Sequence, residues 1–165
     1  RAETGPETFT LDPDGTRIPM GEALASYHVV ANCIFQDTDR PMMFARATDL
    51  ARFPRGALIV DVSCDRGLGF DFARPTTFED PMFEAGSGVQ YYAVDHSPSL
   101  LWRSATFEIS RALLPYLPVV LGGPEAWASD DTIQQAIEIR EGHVLNPKIL
   151  RFQNRADAYP HERLG

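Results

Sequence analysis

Three apolar, β-branched runs along the chain predict buried strands, at residues 27–35, 58–62 and 89–94. Between the first two runs, residues 45–53 carry apolar side chains at helical spacing, and this stretch ends before the turn sequence PRG at residues 54–56. A strand, a helix and a strand joined by short connections form one crossover of a parallel sheet. The pattern therefore predicts an α/β fold built on a parallel sheet.

The flanking pattern predicts a small hairpin near the start of the chain and helices in its last third. Short apolar segments surround the turn signal PDG, which favours a weak hairpin over residues 9–19. Apolar positions with helical spacing extend over residues 97–115 and again over residues 130–139. We expect residues 144–152 to form an extended tail and residues 156–165 to be a polar end without regular structure.

Composition narrows the classes of function. The chain has 165 residues, 44% hydrophobic and 23% charged, which is enough for one domain with a substantial core. A net charge of −8 argues against nucleic acid or an anionic membrane as a main partner, because phosphate binding needs clustered Lys and Arg. No apolar run approaches the roughly 20 residues of a membrane span. Two cysteines, Cys33 and Cys64, make no disulfide framework, so we expect a cytoplasmic protein with reduced thiols.

Each of the three predicted strands ends in a short polar sequence. Parallel strands direct their carboxyl ends to one edge of a sheet, where open α/β sheets bind ligands. We therefore expect one cleft formed by three clusters, Asn32-Cys33, Ser63-Cys64-Asp65 and Asp95-His96-Ser97. Ser97 is predicted to cap the following helix, whose free amides would favour an anionic or polar ligand group. The alternative is that Asp95 and Ser97 are only strand-end and capping residues.

Individual residues of these clusters allow both a chemical and a structural interpretation. Asp65 can hold a ribose hydroxyl, or orient or exchange protons with a substrate; its alternative is a loop carboxylate paired with Arg66 or Arg74. A lone histidine is more often structural than catalytic, but His96 is the only histidine at the predicted cleft, and this position favours a role in chemistry. Cys64 is interpreted as a small buried cysteine rather than a nucleophile, because no base is near it in sequence.

The sequence around the cleft also limits what the cleft can bind. No glycine-rich phosphate loop is present, since Gly67-Leu68-Gly69 lacks a third glycine and does not open a helix. No His or Cys pair has the spacing of metal ligands, so we expect no metal. Asp61, the charged residue within an apolar strand, is interpreted as a structural hydrogen-bond acceptor, because buried carboxylates need partners.

Four segments together resemble a known superfamily. They are VDVSCDRGLGF at 60–70, RPTTFEDPMF at 74–83, YYAVDHSPSLLWRSATFEIS at 91–110 and LNPKILRFQNR at 145–155. In this order they resemble the carboxy-terminal half of the alanine dehydrogenase and saccharopine dehydrogenase relatives, and the likeness is closest to carboxyethylornithine synthase. It runs from about Tyr27 to Arg155. His96-Ser97-Pro98, where alanine dehydrogenases carry Asn-Met-Pro, favours the saccharopine and carboxyethylornithine branch.

The resemblance implies a fold and a set of site residues. Residues 1–96 would be the second half of a Rossmann-like nucleotide-binding domain, and residues 97–165 would be helices and a tail that pack back on a missing substrate domain. The implied catalytic residues are Asp65 and His96. The implied cofactor-binding residues are Asn32, Cys33, Ile34, Ser63, Cys64, Val94, Asp95 and Ser97. Residues 94–97 would line the nicotinamide ribose, and residues 32–34 the adenosine and pyrophosphate side.

The resemblance also implies an activity. We expect the carboxy-terminal portion of an NAD- or NADP-dependent amino-acid dehydrogenase that acts on imines of an amino acid and a 2-oxo acid. Its partners would be the amino-terminal half of the same enzyme, supplied in trans or removed by cleavage, and further copies in a homo-oligomer. The alternatives are plain alanine dehydrogenase activity and a noncatalytic remnant or regulatory subunit that retains a nucleotide-binding scaffold.

Overall fold

A computed structural model describes residues 6–37 and 41–164 of the chain. The chain divides into two compact units, Arg1–Leu100 and Leu101–Gly165. The elements of the first unit are β1 (Phe9–Leu11), β2 (Arg17–Pro19), α1 (Met20–Leu24), β3 (Val29–Asn32), β4 (Met43–Ala45), a 3-10 helix (Ala47–Arg52), β5 (Leu58–Asp61), β6 (Gly69–Phe70), β7 (Met82–Ala85) and β8 (Val89–Tyr92).

The centre of the first unit is a four-stranded sheet in the order β3-β5-β8-β7. Strands β3, β5 and β8 are parallel, and their register places Val30 beside Ile59 and Ile59 beside Tyr91. Strand β7 is antiparallel to β8 and forms the edge. The predicted α/β fold with a parallel sheet is therefore confirmed.

The core lies against one face of this sheet. Its largest members are Val30, Phe44, Leu50, Phe53, Ile59, Phe70, Val89 and Tyr91. Along β3, Val30 and Asn32 are buried while Val29 and Ala31 are exposed. This alternation of period two is that of a sheet with one covered face, so the strand predicted in residues 27–35 is present and, within the described residues, is buried on one face.

Two details of the first unit differ from the sequence pattern. The predicted helix over residues 45–53 is a shorter 3-10 helix, because Ala45 belongs to β4, where it is buried and pairs in parallel with Phe70. Strand β7 was not predicted, because it follows a proline-rich stretch and its outward residues are exposed. The hairpin over residues 9–19 is confirmed as the antiparallel pair β1–β2.

The second unit is helical. A 3-10 helix (Ser97–Leu101) leads into α2 (Trp102–Leu113), a 3-10 turn (Leu114–Tyr116), α3 (Leu117–Leu121), α4 (Pro124–Trp127), α5 (Asp131–Ala136), β9 (Ile139–Arg140), β10 (His143–Val144) and α6 (Pro147–Phe152). None of the described helices is long and apolar enough to cross a membrane.

The end of the chain is more regular than its sequence suggests. The predicted extended tail over residues 144–152 is wrong, because Asn146 caps α6 by accepting from the Lys148 amide, and Pro147 occupies the first helical turn. The final residues are also held: the Leu164 amide donates to the Asn154 carbonyl, and the Asn154 side chain donates to the Leu164 carbonyl. The predicted helix over residues 130–139 is confirmed in the shorter form of α5.

Candidate functional site

The parallel register brings the carboxyl ends of β3, β5 and β8 to one edge of the sheet. Hydrogen bonds connect the loops that leave β3 and β5. The Val62 amide donates to the Asn32 carbonyl at 2.8 Å, and the Ser63 hydroxyl donates to the Ile34 carbonyl at 2.7 Å. These contacts fix the two strand-end loops relative to each other.

A buried polar network lies beneath these loops. Asp61 is only 1% exposed; its carboxylate accepts from the Asn32 side-chain amide at 2.8 Å and from the Tyr91 hydroxyl. Burial raises the pKa of Asp61, and the hydrogen bonds from Tyr91 and Asn32 oppose that shift. The arrangement agrees with the interpretation of Asp61 as a structural acceptor. The Asn32 side chain is committed to the same network, because its oxygen also accepts from the Ile34 amide.

The loop after β5 continues from this network. The backbone amides of Ser63 and Cys64 lie near enough to the Asp61 carboxyl group to lower its pKa, and Cys64 has a positive φ of 45°. The Cys64 thiol is buried and donates to a carboxylate oxygen of Asp95 at 3.3 Å. Burial, with the neighbouring Asp95, raises the pKa of Cys64 to about 12. The thiol therefore stays protonated, which suits a hydrogen-bond donor and not a nucleophile.

Asp65 differs from the buried Asp61 and Cys64, because its side chain is exposed and unpaired. Its carboxylate has no hydrogen-bond or ion-pair partner among the residues that the structure describes, while its backbone carbonyl accepts from the Leu68 amide. The alternative pairing with Arg66 or Arg74 is not seen, and the Arg74 guanidinium lies 4.1 Å from the ring centre of Phe83. A carboxylate left in solvent beside a cleft remains available to a ligand.

The loop after β8 presents two further polar side chains. Asp95 and His96 are both exposed, and the His96 ring meets Phe78 edge to face with 4.7 Å between ring centres. The prediction that Ser97 caps the following helix is wrong. Its hydroxyl shares a hydrogen bond with Tyr92 at 2.6 Å and donates to the Val94 carbonyl, so it closes the strand-end turn.

Apolar side chains complete the edge. Val94 is buried, whereas Cys33 and Ile34 are exposed. Sequence reasoning missed two residues beside them, Phe35, which is fully exposed, and Val62, which is 56% exposed. The signal was available, because both residues belong to an apolar run that continues past the last residue of its strand. Large apolar side chains that are exposed together at one edge of a sheet indicate a binding surface, whereas single exposed ones do not.

These residues fit part of a dinucleotide cofactor. Exposed apolar side chains can lie against a planar ring, and exposed carboxylates can accept hydrogen bonds from ribose hydroxyls. The pyrophosphate part has no counterpart, because the sequence contains no glycine-rich loop opening a helix. Within the described ranges, no group of three or more His, Cys, Asp or Glu side chains is arranged to hold a metal ion.

Comparison with known proteins identifies the family. The model of the alanine dehydrogenase/PNT C-terminal domain matches residues 22–147. The chain belongs to this family. The sequence-based prediction of the alanine dehydrogenase superfamily, C-terminal portion, is therefore confirmed, whereas a special closeness to carboxyethylornithine synthase is not confirmed.

Several relatives of this family match individually. The chain is 26% identical over 136 residues to an alanine dehydrogenase of Mycolicibacterium smegmatis, which covers 81% of the chain and 36% of that protein. It is 28% identical over 102 residues to an alanine dehydrogenase of Mycobacterium tuberculosis, which covers 61% of the chain and 27% of that protein. A solved L-alanine dehydrogenase structure superposes with a TM-score of 0.67 at 22% identity, over 80% of the chain and 37% of that structure. The chain thus spans about a third of the length of the relatives it matches.

Proposed function

We propose that this chain forms the C-terminal part of an NAD(P)-dependent amino-acid dehydrogenase. Membership of the alanine dehydrogenase/PNT family supports the oxidoreductase class and a nicotinamide dinucleotide as cofactor. The observation that carries the proposal is the exposed, unpaired Asp65 carboxylate in the loop after β5, together with the exposed Asp95 and His96 in the loop after β8. These two strand ends are adjacent in the sheet, as a cofactor cleft requires.

The chemistry divides between cofactor and protein. A bound reduced nicotinamide supplies the hydride that converts an imine carbon into an amine carbon, while one proton is added to the nitrogen. Asp65 orients the reacting nitrogen or exchanges that proton, since its carboxylate is not committed to another group. Asp95 and His96 hold polar groups of the cofactor or substrate at the neighbouring strand end. The exposed side chains of Ile34 and Val62 provide an apolar surface beside them.

Two amine substrates agree with this site. The relatives described above are named alanine dehydrogenases, which favours ammonia and a 2-oxo acid such as pyruvate. The sequence His96-Ser97-Pro98 favours the branch in which a larger amino acid, such as ornithine or lysine, forms the imine. Oxidation of NADH and of NADPH should be followed with pyruvate and ammonia, and in parallel with pyruvate and ornithine or lysine. The faster pair identifies the substrate class and the preferred cofactor.

Asp65→Asn tests the role of the carboxylate in the complete enzyme. The amide keeps the size of the side chain but cannot accept a proton, so kcat should fall about 10²- to 10⁴-fold with little change in cofactor affinity. Asp12→Asn is the matched control, because Asp12 is also an exposed aspartate of the first unit but lies in the β1–β2 turn. Near-normal turnover of Asp65→Asn would remove this residue from the mechanism, and the absence of turnover with every substrate pair would favour a noncatalytic remnant.

The second unit presents an apolar surface of its own, which supports a binding partner in the complete enzyme. Large apolar side chains of α2 and α3 are exposed, among them Phe107, Leu113 and Leu117. Leu113 and Leu117 border a groove of about 460 Å³ within this unit, whose lining also includes Leu114, Tyr116, Val120 and Ile133. An apolar surface of this kind marks an interface in a soluble protein.

We propose that the amino-terminal part of the dehydrogenase covers this groove. The relatives extend well beyond the matched third of their length, which leaves a domain-sized portion available as the occupant. Cysteine labelling of the assembled enzyme tests this. In a Cys33→Ser background, Leu117→Cys should react slowly with a maleimide, and Ser129→Cys, at an exposed polar position of the same unit, should react rapidly. Equal rates would contradict the proposal.

A further inference from the structure

We infer that Cys64 is a positioning residue, whose thiol ties the loop after β5 to Asp95 after β8 and so fixes the conformation in which Asp65 is presented. The inference rests on the proposed function only where turnover is the readout. The thiol and the carboxylate are 31 positions apart in sequence and meet through a hydrogen bond of 3.3 Å. That contact joins two adjacent strand ends of the candidate cleft.

The backbone at Cys64 explains why such a tie is needed. A φ of 45° lies in the left-handed region, which a residue with a Cβ keeps only when its surroundings enforce it. Two restraints enforce it here. On the inner side the Asp61 carboxyl group attracts the nearby Ser63 and Cys64 amides, and on the outer side Asp95 accepts a hydrogen bond from the Cys64 thiol at 3.3 Å. Without the outer restraint the loop can relax toward ordinary backbone angles.

A change in the Cys64 backbone conformation acts directly on Asp65. Because Asp65 follows Cys64, a change of the Cys64 backbone angles rotates the peptide that carries its carboxylate. Asp65 has no side-chain partner of its own among the described residues, so its direction is set by the backbone before it. Cys64 itself is 6% exposed, which leaves it without the access that a ligand-binding or nucleophilic group needs.

The test compares Cys64→Ala with Cys64→Ser in the complete enzyme. Alanine removes the donor, whereas serine keeps a hydroxyl that can donate to Asp95 and so serves as the conservative rescue. Since small misplacements of a catalytic group cost up to about a hundredfold in rate, kcat should fall about ten- to a hundredfold in Cys64→Ala. The KM for the cofactor should change little, and Cys64→Ser should return kcat to within a few-fold of the parent.

Hydrogen exchange gives a readout that does not depend on turnover. In Cys64→Ala, peptides covering residues 62–68 and 94–99 should exchange faster, while the peptide over β3 stays protected and Cys64→Ser matches the parent. In an Asp95→Ala background, Cys64→Ala should add nothing to exchange in residues 62–68, because the tie is already broken.

The outcomes separate the two proposals. Parent-like exchange in Cys64→Ala, or a Cys64→Ser enzyme as impaired as Cys64→Ala, would overturn the positioning role. Faster exchange with serine rescue supports that role even if the parent enzyme oxidises neither NADH nor NADPH, a result that would overturn the proposed function alone. Faster exchange and lost turnover that serine restores together support both.

Discussion

Tyr91→Phe probes the buried network that supports the candidate site. Tyr91 is fully buried in β8, and its hydroxyl donates to the carboxylate of Asp61. Its ring contacts Phe70, Phe72 and Phe83, with ring centres 5.1–5.9 Å away. The substitution removes one oxygen and leaves these ring contacts, so its cost reports on the hydrogen bond.

The magnitude follows from the charge of the acceptor. A hydrogen bond to a charged group contributes about 1.5–3 kcal/mol to the free energy of unfolding, and one between neutral groups about 0.5–1.5 kcal/mol. Tyr91→Phe also leaves a buried carboxylate with one hydrogen-bond donor fewer. The loss of unfolding free energy should therefore lie in the range for charged acceptors. Tyr92→Phe is the matched control, because the half-buried Tyr92 hydroxyl shares a hydrogen bond with the neutral Ser97 hydroxyl.

The same reasoning gives a pH dependence with a definite sign. Burial raises the pKa of Asp61 above its ordinary 3.8, so the folded state binds a proton more tightly than the unfolded state. The stability that Asp61 contributes is therefore fully present below pH 3.8 and is lost as the pH rises through the folded-state pKa. Because the Tyr91 hydrogen bond lowers that pKa, Tyr91→Phe raises it further. The cost of Tyr91→Phe should therefore be larger at high pH than at low pH.

Urea unfolding of the parent and both variants, at about pH 4 and about pH 7, measures these costs. We expect Tyr91→Phe to lose about 2–3 kcal/mol near neutrality and clearly less in acid, and Tyr92→Phe to lose about 1 kcal/mol or less at both pH values. If the two variants cost the same near neutrality, or if the cost of Tyr91→Phe does not change with pH, the carboxylate is not the charged centre of the network.

Two further stability predictions test other parts of the fold. Gly86→Ala should cost clearly more than the exposed Gly15→Ala, because both glycines have positive φ but a Cβ at Gly86 would meet the Leu50 Cβ at 2.9 Å; thermal melts of both variants would show the difference, and equal melting temperatures would contradict it. His161→Phe should destabilise the second unit by about 1–3 kcal/mol in urea, since it removes the acceptor of the Val144 amide, and an unchanged midpoint would argue against that hydrogen bond.

Three strands of the central sheet could be predicted because the pattern of their own residues is typical of strands. Apolar, β-branched runs identify β3, β5 and β8, and short connections make β3 and β5 parallel neighbours. The edge strand β7 lacked such a signal, since Met82 and Glu84 face solvent and the strand is held by its hairpin with β8. Similarly, α6 depends on the Asn146 cap, a local hydrogen bond that the apolar pattern of its residues does not reveal.

The candidate site was predictable in place but not in detail. The order of the elements along the sequence predicts parallel strands, and parallel strands bring their three carboxyl ends to one edge of the sheet. Which side chains at these strand ends are free for a ligand depends on tertiary contacts. Asn32 belongs to the predicted cofactor contacts, yet its side chain is occupied by Asp61 and the Ile34 amide. Ser97 was expected to cap a helix and instead binds Tyr92 and Val94 within the turn.

Asp61 shows why a charged residue inside an apolar strand is informative about the site beside it. In β5, Ile59 and Asp61 face the core, so a side chain that only filled space at position 61 would be apolar. Its carboxyl group instead accepts hydrogen bonds from Asn32 in β3 and from Tyr91 in β8, and the Ser63 and Cys64 amides lie near it. A single acceptor thus connects three parallel strands at the point where they end. The hydrogen bonds from Asn32 and Tyr91 offset part of the cost of burying this carboxyl group, and they fix the strand ends from which the loops of the proposed site begin.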